Sequence, residues 1–203
     1  MHWFWIQIIH ELRGSVVSLI RSHHGNFVIK KVTEVVPSQL ASFVAEEIAG
    51  KACAIACCKF GCRVLVSLFT HHIGAHSTLA LVDEMMVDAE AAEQLCRQEF
   101  AHYPMLALIR NGLPEHRRFI GDILKQDLRR NAQERAGSYA VKAILSTATP
   151  EQHEMANELL AWGKQDIASL KRSTWGQHVF WALKDYLRHQ YSSSCPLLRM
   201  VDV

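Results

Sequence analysis

Three residues recur together five times along this chain, and their chemistry is that of recognition rather than of bond-making. They are Asn26, Phe27 and Lys30; Cys62, Arg63 and Val66; His102, Tyr103 and Leu106; Ser138, Tyr139 and Lys142; and Gln177, His178 and Trp181. Hydrogen-bonding, charged and planar groups dominate, and they vary from set to set. The sets follow one another at intervals of 36, 40, 36 and 39 residues. A period in that range is the mark of stacked helical units, each burying its apolar face against its neighbours. An ordered row of variable side chains on such a scaffold is what a modular reading surface requires.

The elements that must position these residues are five short segments. They read Gly-Asn-Phe-Val-Ile-Lys from 25, Gly-Cys-Arg-Val-Leu-Val from 61, Ala-His-Tyr-Pro-Met-Leu from 101, Gly-Ser-Tyr-Ala-Val-Lys from 137 and Gly-Gln-His-Val-Phe-Trp from 176. In a helix, residues one turn apart share a face. The second, third and sixth residues of each segment therefore lie on one side. The fourth, fifth and eighth lie on the other: Val28, Ile29, Val32; Val64, Leu65, Leu68; Pro104, Met105, Leu108; Ala140, Val141, Ile144; Val179, Phe180, Leu183. That side is apolar throughout and is expected to form a continuous core. Four segments open on Gly, expected as a left-handed residue ending one helix so that the next begins at once. About a dozen residues later come breakers: Pro37, Gly74, Gly112 with Pro114, Pro150, and the serines Ser192, Ser193 and Ser194.

The segments resemble the recognition helices of Pumilio-family (PUF) RNA-binding repeats, over roughly residues 12–190. That resemblance implies an all-α, right-handed solenoid of three-helix repeats, a crescent whose concave face binds single-stranded RNA at about one base per repeat. It assigns base-edge reading to Asn26 with Lys30, Cys62 with Val66, His102 with Leu106, Ser138 with Lys142 and Gln177 with Trp181. It assigns base stacking to Phe27, Arg63, Tyr103, Tyr139 and His178. Unpaired bases do expose edges and flat faces to such groups. The resemblance further implies control of messenger RNA translation or decay through 3′ untranslated regions, with effector proteins recruited on the convex face. A ribosomal RNA-processing factor without sequence specificity is an alternative. A helical scaffold for protein partners is the rival of a different kind.

The last edge position departs from the family pattern. Gln, Glu or Arg is usual there, whereas this chain has Lys30, Val66, Leu106, Lys142 and Trp181. None supplies a bidentate contact, so weak sequence preference is expected.

Composition sets the outer bounds. With 203 residues and 49% hydrophobic content the chain can bury a core, and its formal net charge is only +2. Residues 1–102 carry 8 Lys+Arg against 10 Asp+Glu, whereas 103–203 carry 14 against 10. The basic pairs Arg117–Arg118, Arg129–Arg130 and Lys171–Arg172 are candidates for phosphate contact or for plain solvated faces. The acidic stretch 83–99 reads as a solvated connection that lengthens the second interval. First helices of the units are predicted at 15–24, 51–59, 90–98, 127–134 and 164–172, and third helices at 38–49, 115–124 and 151–160.

Other chemistry finds little support. Cys53, Cys57, Cys58 and Cys62 crowd one stretch with His71, His72 and His76 nearby. Their spacing is that of helix positions rather than a zinc knuckle, so Cys53 and Cys57 are expected as small residues on a packed face. No metal or cofactor is expected, and the cysteines suggest no disulfide framework and a reducing compartment. Nucleophile-elbow, phosphate-loop and zinc-protease motifs are absent, and the neighbours His10–Glu11 and Glu115–His116 would point apart on a helix. No enzyme activity is expected. The apolar start of the chain lacks the basic leader of a signal peptide and is too short to span a membrane. Residues 1–14 are expected to cap the array or to be what is left of an earlier repeat, 1–191 to be one elongated domain, and 192–203 a flexible tail. A cytoplasmic location is expected, with a nuclear or nucleolar one as the alternative.

Overall fold

The computed structural model describes residues 2–190, so the expected tail and its serine breaker lie outside the described residues. Among the described residues every regular element is a helix. After α1 (His2–Leu12) the helices come in four sets of three and a final pair. They are α2 (Val16–Arg21), α3 (Gly25–Val35) and α4 (Ser38–Ile48); then α5 (Ala52–Ala56), α6 (Gly61–His71) and α7 (His76–Met86). Next are α8 (Ala89–Arg97), α9 (His102–Asn111) and α10 (Pro114–Gln126); then α11 (Leu128–Asn131), α12 (Arg135–Leu145) and α13 (Pro150–Leu160); last are α14 (Lys164–Arg172) and α15 (Gly176–Gln190). The chain divides after Gly112 into two compact units. No described helix is long and apolar enough to cross a membrane.

Proline sets the entries as its chemistry requires. Pro114 and Pro150 take the first helical position of α10 and α13, where a missing N–H removes no intrahelical bond. Pro104 is the third residue of α9, still in the turn whose amides have no intrahelical partner.

The glycines that open the segments have a different cause from the expected one. Left-handed backbone occurs only at Gly14 and Gly50 among the described residues. At Gly25, Gly61, Gly137 and Gly176 the need is space. A Cβ there would lie 2.6, 2.5, 2.6 and 2.7 Å from the carbonyl oxygens of Leu19, Ile55, Asn131 and Leu170, each six residues earlier. In these four repeats the second helix packs against the last turn of the first where only a hydrogen fits between them, and the third repeat, which has Ala101 there, is the exception.

The unequal intervals also have a simple origin. The first helices α5, α8, α11 and α14 hold 5, 9, 4 and 9 residues, and the intervals into their segments are 36, 40, 36 and 39. Residues 83–99 are therefore not a solvated connection. They are the end of α7 and all of α8, where Ala92, Leu95 and Cys96 are buried and Asp88 accepts the Glu90 amide at 3.1 Å. The acidic residues take the outer face, which masked the apolar one. The third helix α7 went unpredicted for the same reason of mixed composition.

In the first unit α3 packs on α6 and α6 on α9. Ile29, Val64, Leu65, Leu68, Met105 and Leu108 are fully enclosed, each contributing about 1.5–3 kcal/mol by burial. Val28 departs from the expected core and is 48% exposed. Its counterparts Val64 and Pro104 are buried on helices that follow a preceding second helix, and among the described residues none comes before α3. Two carboxylates pin the repeat ends. Glu47 accepts the amides of Gly14 and Val16 at 2.7 and 3.1 Å, and Glu84 those of Gly50 and Ala52 at 2.9 and 2.8 Å. Between α3 and α6, Thr33 donates to Ser67 at 2.7 Å. His72 donates through Nε2 to the Thr33 carbonyl at 2.6 Å and accepts the Ser38 hydroxyl at Nδ1 at 2.7 Å. In the second unit α12 packs on α15 and α13, and Ala140, Val141, Ile144, Val179, Phe180 and Leu183 are buried as expected.

Among the described residues Cys53, Cys57, Cys58, Cys62 and Cys96 are free. Cys57 lies just past α5 and is exposed, which corrects its expected place on a packed face. Burial pushes the thiols of Cys53, Cys57 and Cys62 up, and that of Cys96 up to about 12. Among the described residues no group of three or more His, Cys, Asp or Glu could hold a metal ion.

Candidate nucleic-acid interface

The second helices of the repeats carry the row at their first turn, and its three positions meet different fates. Consider first Asn26, Cys62, His102, Ser138 and Gln177. All five hydrogen-bond back to a carbonyl three or four residues earlier. Asn26 Nδ2 donates to Ser22 and His23 at 2.9 and 2.8 Å, Cys62 Sγ to Lys59 at 3.4 Å, and His102 Nδ1 to Gln98 at 2.9 Å. Ser138 Oγ donates to Arg135 at 2.9 Å and Gln177 Nε2 to Thr174 at 2.9 Å. Their donors thus fasten the turn that enters each helix, and four of the five side chains are buried. One acceptor stands over: Asn26 Oδ1 is buried with no hydrogen-bond partner. Such a group costs about 1–3 kcal/mol unless a donor reaches it.

The third residues of the segments are the accessible ones. Phe27 is 52% and Tyr103 49% exposed, Arg63 is exposed, and Tyr139 and His178 are half-buried. In the first unit the Arg63 guanidinium lies 5.7 Å from the Phe27 ring centre and 6.0 Å from that of Phe60. In the second, the Tyr139 and His178 rings stack with centres 5.7 Å apart and planes at 23°. Trp175 lies 6.3 Å from Tyr139 and 6.4 Å from His178, with Arg135 5.5 Å over its ring.

The last position is mixed. Lys30 pairs with Glu34 at 2.5 Å, and Lys31 holds the same carboxylate at 3.2 Å. The two ammonium groups keep the Glu34 carboxyl below its usual range. Val66 is half-buried, Leu106 only 8% exposed, and Lys142 and Trp181 face solvent, with Lys184 5.6 Å from the Trp181 ring. Leu106 therefore belongs to the packing of α9 more than to its reading face.

A pocket of about 350 Å³ opens between the second helices of the first unit. Cys62, Val66, Phe100 and Tyr103 make apolar walls, and Lys30, Lys59 and Arg63 bring cations to it. The site has room for a flat base, an aromatic wall for its face and positive charge for its phosphate.

Several residues of this surface were missed from the sequence. Phe60, Phe100 and Trp175 each precede the first residue of a segment, and His24 and Ala136 hold the same place in the other two. Reading one residue further upstream would have found them. One basic pair, Arg129–Arg130, is also less available than its sequence suggests. Arg129 pairs with Asp166 at 2.5 Å, lowering that carboxyl, and Arg130 pairs with Glu134 at 2.7 Å.

Fold and row together define a class: an all-helical protein with the repeat fold of Pumilio RNA-binding domains. The chain is similar to the Puf4 RNA-binding domain bound to an HO endonuclease RNA 3′ UTR recognition sequence. There the TM-score is 0.78 at 22% identity, over 96% of this chain and 59% of that one. PUF-8 in complex with PBE-RNA gives 0.80 at 15% identity, over 98% and 64%. Yeast Puf5p bound to SMX2 RNA gives 0.72 at 14%, over 91% and 51%. The chain thus spans between about half and two thirds of the length of these relatives. Its sequence matches no protein-family model and no curated protein.

Proposed function

We propose that the chain binds single-stranded RNA through the first turns of α3, α6, α9, α12 and α15. The observation that carries this reading is that the third residue of every segment is a planar group that reaches solvent, exposed at Phe27, Arg63 and Tyr103 and half-buried at Tyr139 and His178, while the residue before it is tied back to the preceding turn. Stacking on such groups is worth about 1–3 kcal/mol per base and tolerates any base. The edge positions point to weak discrimination. Val66 and Leu106 offer no polar atom, and Lys30 is engaged by Glu34. Recognition then rests on stacking and on cations near the phosphates. The finer reading is control of messenger RNA translation or decay through 3′ untranslated regions, in the cytoplasm, by proteins recruited to other surfaces. The chain performs no chemistry on the RNA in this reading.

Selection from a random single-stranded RNA pool tests it, with an Arg63→Ala, Tyr139→Ala double variant in parallel. Retention that falls at least tenfold in the variant supports stacking recognition. Enrichment without a shared motif identifies a backbone-and-stacking binder. No retention above background at low salt overturns the reading in favour of a protein-binding scaffold.

A further inference from the structure

We infer that the ring just before two of the segments, Phe60 in one unit and Trp175 in the other, is a positioning residue that receives the stacking side chain when a base enters. This rests on the RNA reading above. The two pairs of successive stacking residues that touch are closed against each other: Phe27 with Arg63 and Tyr139 with His178, both at 5.7 Å. A base between two flat groups needs two contact distances of about 3.5 Å, roughly 7 Å in all. Entry therefore requires each pair to part by more than about 1 Å.

Each pair has a third flat group beside it. Arg63 already lies 6.0 Å from the Phe60 ring, and Tyr139 and His178 lie 6.3 and 6.4 Å from Trp175. These rings are themselves held. His23 meets Phe60 edge-on at 5.6 Å and Lys59 lies 5.8 Å from its centre, while Arg135 covers Trp175 at 5.5 Å. When a base separates Tyr139 from His178, both rings keep Trp175 as a neighbour. Arg63 likewise keeps Phe60 when it leaves Phe27. Opening then exchanges one flat contact for another, and the displaced group stays oriented for the base. Without the ring, the opened side chain is free to rotate and must be ordered again on binding.

The test uses the full chain with a fluorescently labelled twelve-nucleotide RNA pool and a labelled abasic strand of equal length. Phe60→Leu and Trp175→Leu should each weaken RNA binding about three- to tenfold, leave binding of the abasic strand unchanged, and be rescued by Phe60→Tyr and Trp175→Phe. If either Leu variant loses helical circular dichroism, the flexible and uncharged Phe60→Met or Trp175→Met serves in its place and should show the same selectivity. Equal losses on both strands, or no loss, would overturn the positioning role while RNA binding stands. A wild-type chain that binds neither strand overturns the RNA reading itself.

Discussion

Glu84 reaches back to the amide of Gly50 across 34 residues of sequence, at 2.9 Å, and takes the amide of Ala52 with its other oxygen. Glu47 does the same for Gly14 and Val16. The last helix of a repeat thereby closes on the turn that begins it. A carboxylate there satisfies two amides at the start of a helix, where the helix dipole also favours negative charge. Glu84→Ala should lower unfolding free energy by about 1–3 kcal/mol, read from the urea midpoint. A change within 0.3 kcal/mol would show that water replaces the carboxylate.

His72 gives the fold a pH dependence of known sign. Burial holds its pKa below the ordinary 6.5, outweighing the opposite pull of the Thr33 carbonyl, which its Nε2–H reaches. Above 6.5 neither folded nor unfolded chain protonates it. As pH falls below 6.5 the unfolded state takes up a proton that the folded state resists, so stability is lost. Urea midpoints should drop between pH 7.5 and 5, and the drop should be smaller in His72→Gln, whose amide can still donate to the Thr33 carbonyl.

The segment glycines should be intolerant of even a methyl group. Gly61→Ala places a carbon 2.5 Å from the Ile55 carbonyl and should cost about 2–3 kcal/mol. Gly74→Ala meets nothing within 4 Å and has no left-handed backbone, so it should lie within about 0.5 kcal/mol of wild type. Thermal unfolding of the two variants separates close approach from conformational freedom as the reason for glycine.

Val66 lines the pocket where a base edge would lie. Val66→Gln supplies a donor and an acceptor there. Affinity for one base at that step should rise about three- to tenfold over the other three, about 1 kcal/mol of discrimination. Competition among four RNAs differing at one nucleotide would measure it. Equal affinities would place base edges away from Val66.

The helical repeat was legible because the apolar residues at the fourth, fifth and eighth positions keep their period whatever the opposite face carries. Val28 broke the pattern because burial needs a neighbour, and among the described residues no second helix comes before α3. The planar positions Phe27, Arg63, Tyr103, Tyr139 and His178 were visible as a column. The inward turn of Asn26, Cys62, His102, Ser138 and Gln177 was not, since the carbonyls they bind belong to the preceding turn and have no sequence signature. Glycine misled because close approach and positive φ select the same residue. The acidic face of α8 hid Ala92, Leu95 and Cys96 from a reading weighted towards charge.

The variable first helix has an evolutionary corollary. Because α5, α8, α11 and α14 absorb the difference between 36- and 40-residue spacing, a lineage can add or delete a helical turn there without displacing the planar column. A whole-turn insertion upstream of the glycine should therefore be tolerated better than one immediately after it. Laboratory lengthening of this array has the same safe port of entry, and α11, with four residues, is the place with most slack to take up.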